Sequence, residues 1–378
     1  MNIIDLFFKS QTYSRDTIKK IFLIIAVSWL PLLVISYLSG TMLSADSKIK
    51  IPFLYDYLAN ARLLISFPVV FLSISIINSL VSKSFDQFVS ADIISKEDRE
   101  KFKQISDTYF KLKDSKFSNI AILILSYFWI YFFWKDFEDI SGINSWKFFS
   151  SGNEGIQPAG YWYYIVSIPA VQFFLFKMIW TFILWSFSLY RIAKLNLNIS
   201  SSSPDGAGGL AFLGYTQIFF GLLGFAQNVT FSAGIANKIV YNNEPFMDYR
   251  FSIILGIISV SLIYIAPLLF FTKHLLNAKL VTLFEYSKLG LNYATSFENK
   301  WIKKNMPDNS EPLLGTADIQ SLADLNNSVK MVQDQLIFPL KISSFIVFFL
   351  VLIIPYLPLL LLRFSSEEIL QGILNFFI

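Results

Sequence analysis

No cysteine occurs in the 378 residues. Disulfides, thiolate metal sites and cysteine nucleophiles are therefore excluded. Histidine is almost as scarce, with His274 standing alone. A zinc or di-iron centre would have to be built mainly from carboxylates, which suits neither. A serine nucleophile would have one candidate base, and His274 falls at the edge of an apolar segment. The apolar segments also lack the paired acids that intramembrane aspartyl chemistry needs. These shortages predict a protein that is not an enzyme and holds no metal or cofactor. Charge is scarce as well: 15% of residues are charged, against about 25% in soluble domains. The net charge of +4 is small and dispersed, which excludes nucleic acid as a partner.

What the chain has instead is apolar surface. Hydrophobic residues make up 54%, Phe alone contributes 40, and the mean hydropathy is +0.53. A membrane helix needs about 20 mostly apolar residues. Seven segments qualify: 18–39, 63–81, 117–134, 161–184, 210–235, 251–272 and 342–362. Backbone groups cannot stay unpaired in hydrocarbon, and no strand-like alternation is present, so these should be helices. The expected fold class is all-α, a polytopic membrane bundle in a lipid bilayer. The first segment is too long for a secretory leader and reads as an uncleaved span.

Loop charge gives the orientation. Lys9, Arg15, Lys19 and Lys20 precede or open the first span. Segment 82–116 carries Lys83, Lys96, Arg99, Lys101, Lys103, Lys111, Lys113 and Lys116. Arg191 and Lys194 follow the fourth span, and eight lysines lie in 273–341. The intervening loops are poorer in cations. The N-terminus is expected inside and the C-terminus outside, in a bacterial cytoplasmic (inner) membrane. Trp129, Tyr131, Trp134 and the run Tyr161 to Tyr164 mark the outer interface. Pro31, Pro68, Pro169, Pro267, Pro355 and Pro358 fall inside spans, where they should kink helices.

The organisation follows: a cytoplasmic segment 1–17, a six-helix region 18–272 with a helical cytoplasmic loop 82–116, a cytoplasmic helical region 273–341, and 342–378 holding the seventh span and an outer amphipathic helix. Within 82–116, Phe102, Ile105, Tyr109 and Leu112 recur at helical spacing. Leu289, Tyr293, Phe297 and Trp301 form one stripe, and Ile319, Leu322, Leu325, Val329, Val332 and Leu336 form a second. Two helices packing on each other or on the membrane face would explain the stripes. So would an oligomer contact or a docking site.

Between the fourth and fifth spans runs Ser203-Pro204-Asp205-Gly206-Ala207-Gly208-Gly209-Leu210. Pro204, Gly208 and Gly209 predict unusual backbone angles or close packing, with the cytoplasmic segment 318–325 as the expected neighbour. Asp205 can tighten its own turn and cap the fifth helix, or tie Arg191 or Lys194. A glycine loop opening a helix can also contact an anion, though no Lys-Ser/Thr pair follows here.

At these residues the chain resembles a family of uncharacterised bacterial polytopic membrane proteins that carry a His-Pro-Asp-x-Ala-Gly-Gly-Leu loop. The resemblance covers patches of the C-terminal half: the run 180–197, the segment 314–325, Leu357-Pro358-Leu359-Leu360 and Glu367-Glu368-Ile369-Leu370. It implies an integral membrane fold and no particular activity. Ser203 stands where that family has its histidine.

The fifth span is the most informative helix. At ~100° per residue, Gly214, Gln217, Gly221, Gly224, Asn228 and Ser232 share one narrow arc. Polar and small side chains there should meet protein or water, as a tight helix seam or as the lining of a polar pathway. Lys177 lies two-thirds of the way down the fourth span, below Gln172, and either snorkels inward or adds a charge to the pathway. The functional expectation is an oligomeric channel or pore-like protein, a homo-oligomer using the fifth span as lining or seam. The alternative is a membrane scaffold or effector acting through its cytoplasmic helices. These residues do not name the ion or solute.

Overall fold

The computed structural model describes residues 15–43, 49–138, 143–149, 155–303 and 317–362. The N-terminal segment, the loop at 305–315 and the outer helix expected at 365–378 lie wholly or largely outside those residues. The described chain is all-α apart from one antiparallel pair, β1 (Phe148–Phe149) and β2 (Gly155–Ile156), with Phe148 opposite Ile156. The helical runs are α1 (Ile18–Leu38), α2 (Tyr57–Ser90), α3 (Lys96–Lys113), α4 (Lys116–Glu138), α5 (Pro158–Ile192), α6 (Ala211–Asn242), α7 (Phe246–Ile302), α8 (Ala317–Asp334) and α9 (Ile342–Leu361).

Six of these runs, α1, α2, α5, α6, α7 and α9, are long and apolar enough to cross a membrane. A seventh candidate is the pair α3 and α4, bent by 48°. Within that pair α4 runs back along α5: Tyr127 Oη donates to the Ile165 carbonyl at 3.1 Å, and Trp129 packs on Phe176. The helices form a polytopic bundle with two distinct ends. One carries β1 and β2 and is called here the hairpin side. The other carries α3, α8 and the glycine loop, and is called the arm side. Large apolar side chains such as Phe22, Phe117, Leu255 and Leu262 stay exposed on outward helix faces. Apolar surface on that scale belongs against lipid.

Each intramembrane proline sits at an irregular turn. Five-residue π turns, Arg62–Ser66 and Tyr163–Ser167, precede Pro68 and Pro169. Tight 3₁₀ turns, Ala266–Phe271 and Ile354–Tyr356, contain Pro267 and Pro355. Pro31 follows a break after Ser28, and Pro358 opens the last helical piece, Leu357–Leu361. A proline has no N–H for the preceding turn and its ring crowds the carbonyl four residues back, so the register shifts by one residue in either direction.

Two apolar cores hold the bundle. Toward the arm side, Phe85 and Phe88 of α2 meet Phe102 and Tyr109 of α3 and Trp185 of α5. Of the periodic face expected for α3, Phe102, Ile105 and Tyr109 are thus buried, while Leu112 stays exposed. Residues 82–90, however, continue α2 without a break rather than forming a separate helix. Toward the hairpin side, Leu32, Phe53, Phe67, Trp146 and Tyr163 form a second core. Tyr163, expected at the headgroup level, is fully buried there.

Beyond the bundle, α7 continues as part of one helical run of 57 residues, and α8 folds back along it. Asp318 at the start of α8 accepts from Trp301 Nε1 at 2.9 Å and from Lys300 Nζ at 2.9 Å. Near the other end of α8, Lys279 Nζ reaches the carbonyls of Gln333 and Gln335. The two stripes therefore belong to one helical hairpin, though Leu289 and Ile319 remain exposed.

Candidate functional site

The arc on α6 meets α9. A Cβ on Gly221 would come within 2.8 Å of the Phe348 ring, and one on Gly224 within 2.7 Å of Leu352. Gly214 lies against Pro339 and Leu340. Asn228 Nδ2 donates to the Leu352 carbonyl at 2.9 Å, and Ser232 Oγ donates to the Pro355 carbonyl at 2.7 Å. The Leu352 carbonyl lies just before the 3₁₀ turn of α9 and the Pro355 carbonyl within it, where the regular helical pairing of carbonyls is interrupted. Gln217 donates to the Tyr264 carbonyl and accepts from Trp185 Nε1. All six arc residues are buried in a helix seam.

Lys177 stands apart from that arc. Its ammonium donates to the Lys113 carbonyl at 2.6 Å and to Asn119 Oδ1 at 2.5 Å. It closes the end of α3 and spans the bend to α4, a favourable place for a cation at a helix C-terminus.

In the glycine loop, Asp205 accepts from the backbone N–H groups of Ala207 at 2.9 Å, Gly209 at 3.0 Å and Ala211 at 3.0 Å. Partial burial would raise its pKa, but these three bonds, with one from Ser203, hold it below the ordinary carboxylate value. Pro204 sits exposed in the turn closed by Gly206 N–H on the Ser203 carbonyl. Gly208 has φ +64° and lies against Leu275 of α7 and Gln335, while Leu336 N–H donates to the Gly206 carbonyl. The loop's neighbours are thus α7 and the residues just after α8, not the segment 318–325. Arg191 and Lys194 face aromatic rings, Phe187 and Tyr190, and form no described ion pair with Asp205. His274 Nε2 donates to the Ala193 carbonyl at 2.6 Å, pinning α7 to the end of α5.

A large internal space lies on the opposite face of α6. A cavity of about 850 Å³ is bounded by α2, α4, α5 and α6, with Tyr249 at the start of α7. Its wall on α5 runs from Tyr164 to Ile179, roughly 22 Å of helix axis at ~1.5 Å per residue. The wall is graded. Arg62, Lys147, Asn237 and Lys238 stand at the hairpin side, Gln172, Gln227 and Thr230 at middle depth, and Val70, Leu175, Ile179 and Ala226 at the floor. The Gln172 Oε1 is buried without a hydrogen-bond partner, while Gln227 Oε1 accepts from Tyr264 Oη at 3.1 Å. Beneath the floor, Met178, Phe220 and Leu223 are fully buried.

A buried carboxylate organises the mouth. Asp56 caps α2 through Ala59 N–H at 3.0 Å and accepts from Asn237 Nδ2 at 2.8 Å and Trp146 Nε1 at 2.9 Å. Lys147 Nζ lies 3.3 Å away and 5.2 Å from the Tyr163 ring centre. Burial alone would raise the Asp56 pKa. The Lys147 charge and the three donated hydrogen bonds outweigh it and set the value below the usual carboxylate range. Arg62 donates to Tyr163 Oη at 2.9 Å from the next turn. This group is not legible from sequence spacing: Lys147 reads as one cation of a cation-poor loop, and Asp56 lies 90 residues from Trp146. A second polar row on the fifth span, Gln227, Thr230, Gly234 and Asn237, was the available signal for the cavity.

Among the described residues no three His, Cys, Asp or Glu side chains gather to hold a metal ion. Comparison with family models, with curated proteins and with solved structures returns no match.

Proposed function

We propose that this integral membrane protein admits a small guest from outside the cell into the cavity behind α6, as a pore-like or carrier protein of a bacterial cytoplasmic membrane. The single observation that carries the reading is the graded cavity of about 850 Å³, within the range of about 300–1,000 Å³ common for ligand sites. The cation-rich loops support placing the arm side in the cytoplasm and the hairpin side outside, with N-terminus in and C-terminus out. The resemblance at the glycine loop supports the bacterial membrane. The pathway considered for the fifth span then belongs to its Gln227–Thr230 face, while its glycine face packs. Passage through the protein requires the inner half, plugged at Phe220 and Leu223, to open. Homo-oligomerisation and the absence of catalysis belong to the same proposal.

A second reading, a scaffold acting through its cytoplasmic helices, draws on Phe284 and Leu291, which are 76% and 69% exposed on the part of α7 beyond the bundle.

The natural lack of cysteine makes the main test direct. Thr230→Cys faces the cavity and Ser232→Cys faces the seam. In intact cells a membrane-impermeant maleimide should label the first and spare the second. Equal or absent labelling of both would end the cavity reading.

A further inference from the structure

We propose that the cavity seats a single-chain anionic amphiphile, with its headgroup at Arg62 and Lys238 and its chain on the floor. This rests on the cavity being open to a guest, as argued above. Three observations lead there.

First, polarity runs in one direction. All charged groups of the described lining lie at the hairpin side, and the deepest residues, Val70, Leu175, Ile179 and Ala226, carry no polar side-chain atom. A wholly polar guest would leave that floor unmatched, and a wholly apolar one would desolvate the charged mouth. Second, among the described lining residues the charged ones are three cations and one carboxylate. That carboxylate, Asp56, is already engaged by Ala59, Asn237, Trp146 and Lys147. Among the described side chains a cationic head would therefore meet no unengaged carboxylate, while an anionic head meets Lys238, exposed on the last turns of α6, and the Arg62 guanidinium. Third, the uncharged amide of Gln172 lines the wall between the charged mouth and the apolar floor, beside Gln227 and Thr230, so polarity falls off stepwise along the length of one chain. The volume suits one drug-sized body, so a second acyl chain would have to remain outside.

The shared chemistry is an anionic head on one chain, whether from a free fatty acid or from a lysophospholipid of the bilayer. The test uses the full chain in discs of zwitterionic lipid. Dansyl-undecanoate is the probe, read by energy transfer from tryptophan, of which Trp129 lines the cavity. Dodecanoate and lysophosphatidylglycerol separate the two sources. Both should displace the probe at about tenfold lower concentration than dodecyltrimethylammonium or dodecyl maltoside; displacement by one anion alone identifies the source and still supports the proposal. Lys238→Gln should erase most of that preference. Gly234→Phe fills the cavity at a point where an added Cβ meets nothing closer than Leu58 Cδ1 at 3.9 Å. It should abolish probe binding with the melting temperature retained. Equal displacement by all heads overturns the anionic assignment. Undiminished binding by Gly234→Phe overturns the seat. Loss of either while Thr230→Cys still labels from outside leaves the open cavity standing and rejects this guest alone.

Discussion

Replacing Asp56 with alanine tests how the mouth of the cavity is held. Four donors converge on this one carboxylate, from α2, α6 and the loop before β1. Losing the cap costs ~1 kcal/mol. Leaving the Lys147 ammonium, with a side chain only 7% exposed, without its carboxylate costs more, about 3–5 kcal/mol for a broken buried pair. The two overlap, so the expected loss is on the order of 4 kcal/mol. Asp56→Ala combined with Lys147→Met should recover most of it, since no charge then remains to be desolvated. Asp56→Asn, which keeps a good capping group, should fall between. Equilibrium unfolding of purified protein, with all four members of the double-mutant cycle, gives the coupling directly. A single-mutant loss below ~1 kcal/mol, or no recovery in the double variant, would refute the ion-pair account. The pH arm is independent. Because the folded pKa of Asp56 lies below its unfolded value of about 3.9, its contribution is complete above that value. It should fade as pH falls through the folded one, and Asp56→Ala should lose that acid limb.

Three further outcomes are expected. Gly221→Val forces α9 away at Phe348 and should cost about 1–3 kcal/mol, read by thermal unfolding, while Gly234→Ala on the cavity face should be nearly neutral. Asn228→Leu strands the Leu352 carbonyl beside the 3₁₀ turn of α9 and should cost about 1–3 kcal/mol; faster proteolysis near residues 352–356 would report it. Gly208→Val meets both a left-handed φ and Leu275 at 2.9 Å, so its folded yield on size exclusion should drop sharply, whereas Ser203→Ala removes one of several bonds to Asp205 and should do little.

The helices were legible because hydrocarbon demands long apolar runs, and the irregular turns because proline announces them. The fifth span shows where legibility stops. Its 100° arc identified Gln217, Gly221, Asn228 and Ser232 as facing something other than lipid. Periodicity cannot say whether a polar face meets a helix or a void. That depends on Phe348 and Leu352 of α9, more than 100 residues later in the chain. Lys177 was read as snorkelling or pathway charge, yet the Lys113 carbonyl that receives it is exposed by a helix end 64 residues away. The glycine loop divides similarly. Asp205 capping is local and was readable from Asp205 to Ala211. Its neighbour was not, because α8 runs antiparallel to α7. Asp318 is thereby carried out to Lys300, and Gln335 and Leu336 are brought back to the loop.

The long helix α7 has a mechanical consequence. From Thr272 to Ile302 it extends about 45 Å past its 3₁₀ turn, braced by α8 but fixed to the bundle near its base, where His274 holds Ala193 and Leu275 lies under Gly208. A rigid rod pivoting at one end magnifies small rotations. A tilt of ~10° about this base, near Thr272, would sweep the tip by roughly 8 Å. Motions too small to separate the membrane helices would then be large at the tip of α7, on the same side as the glycine loop.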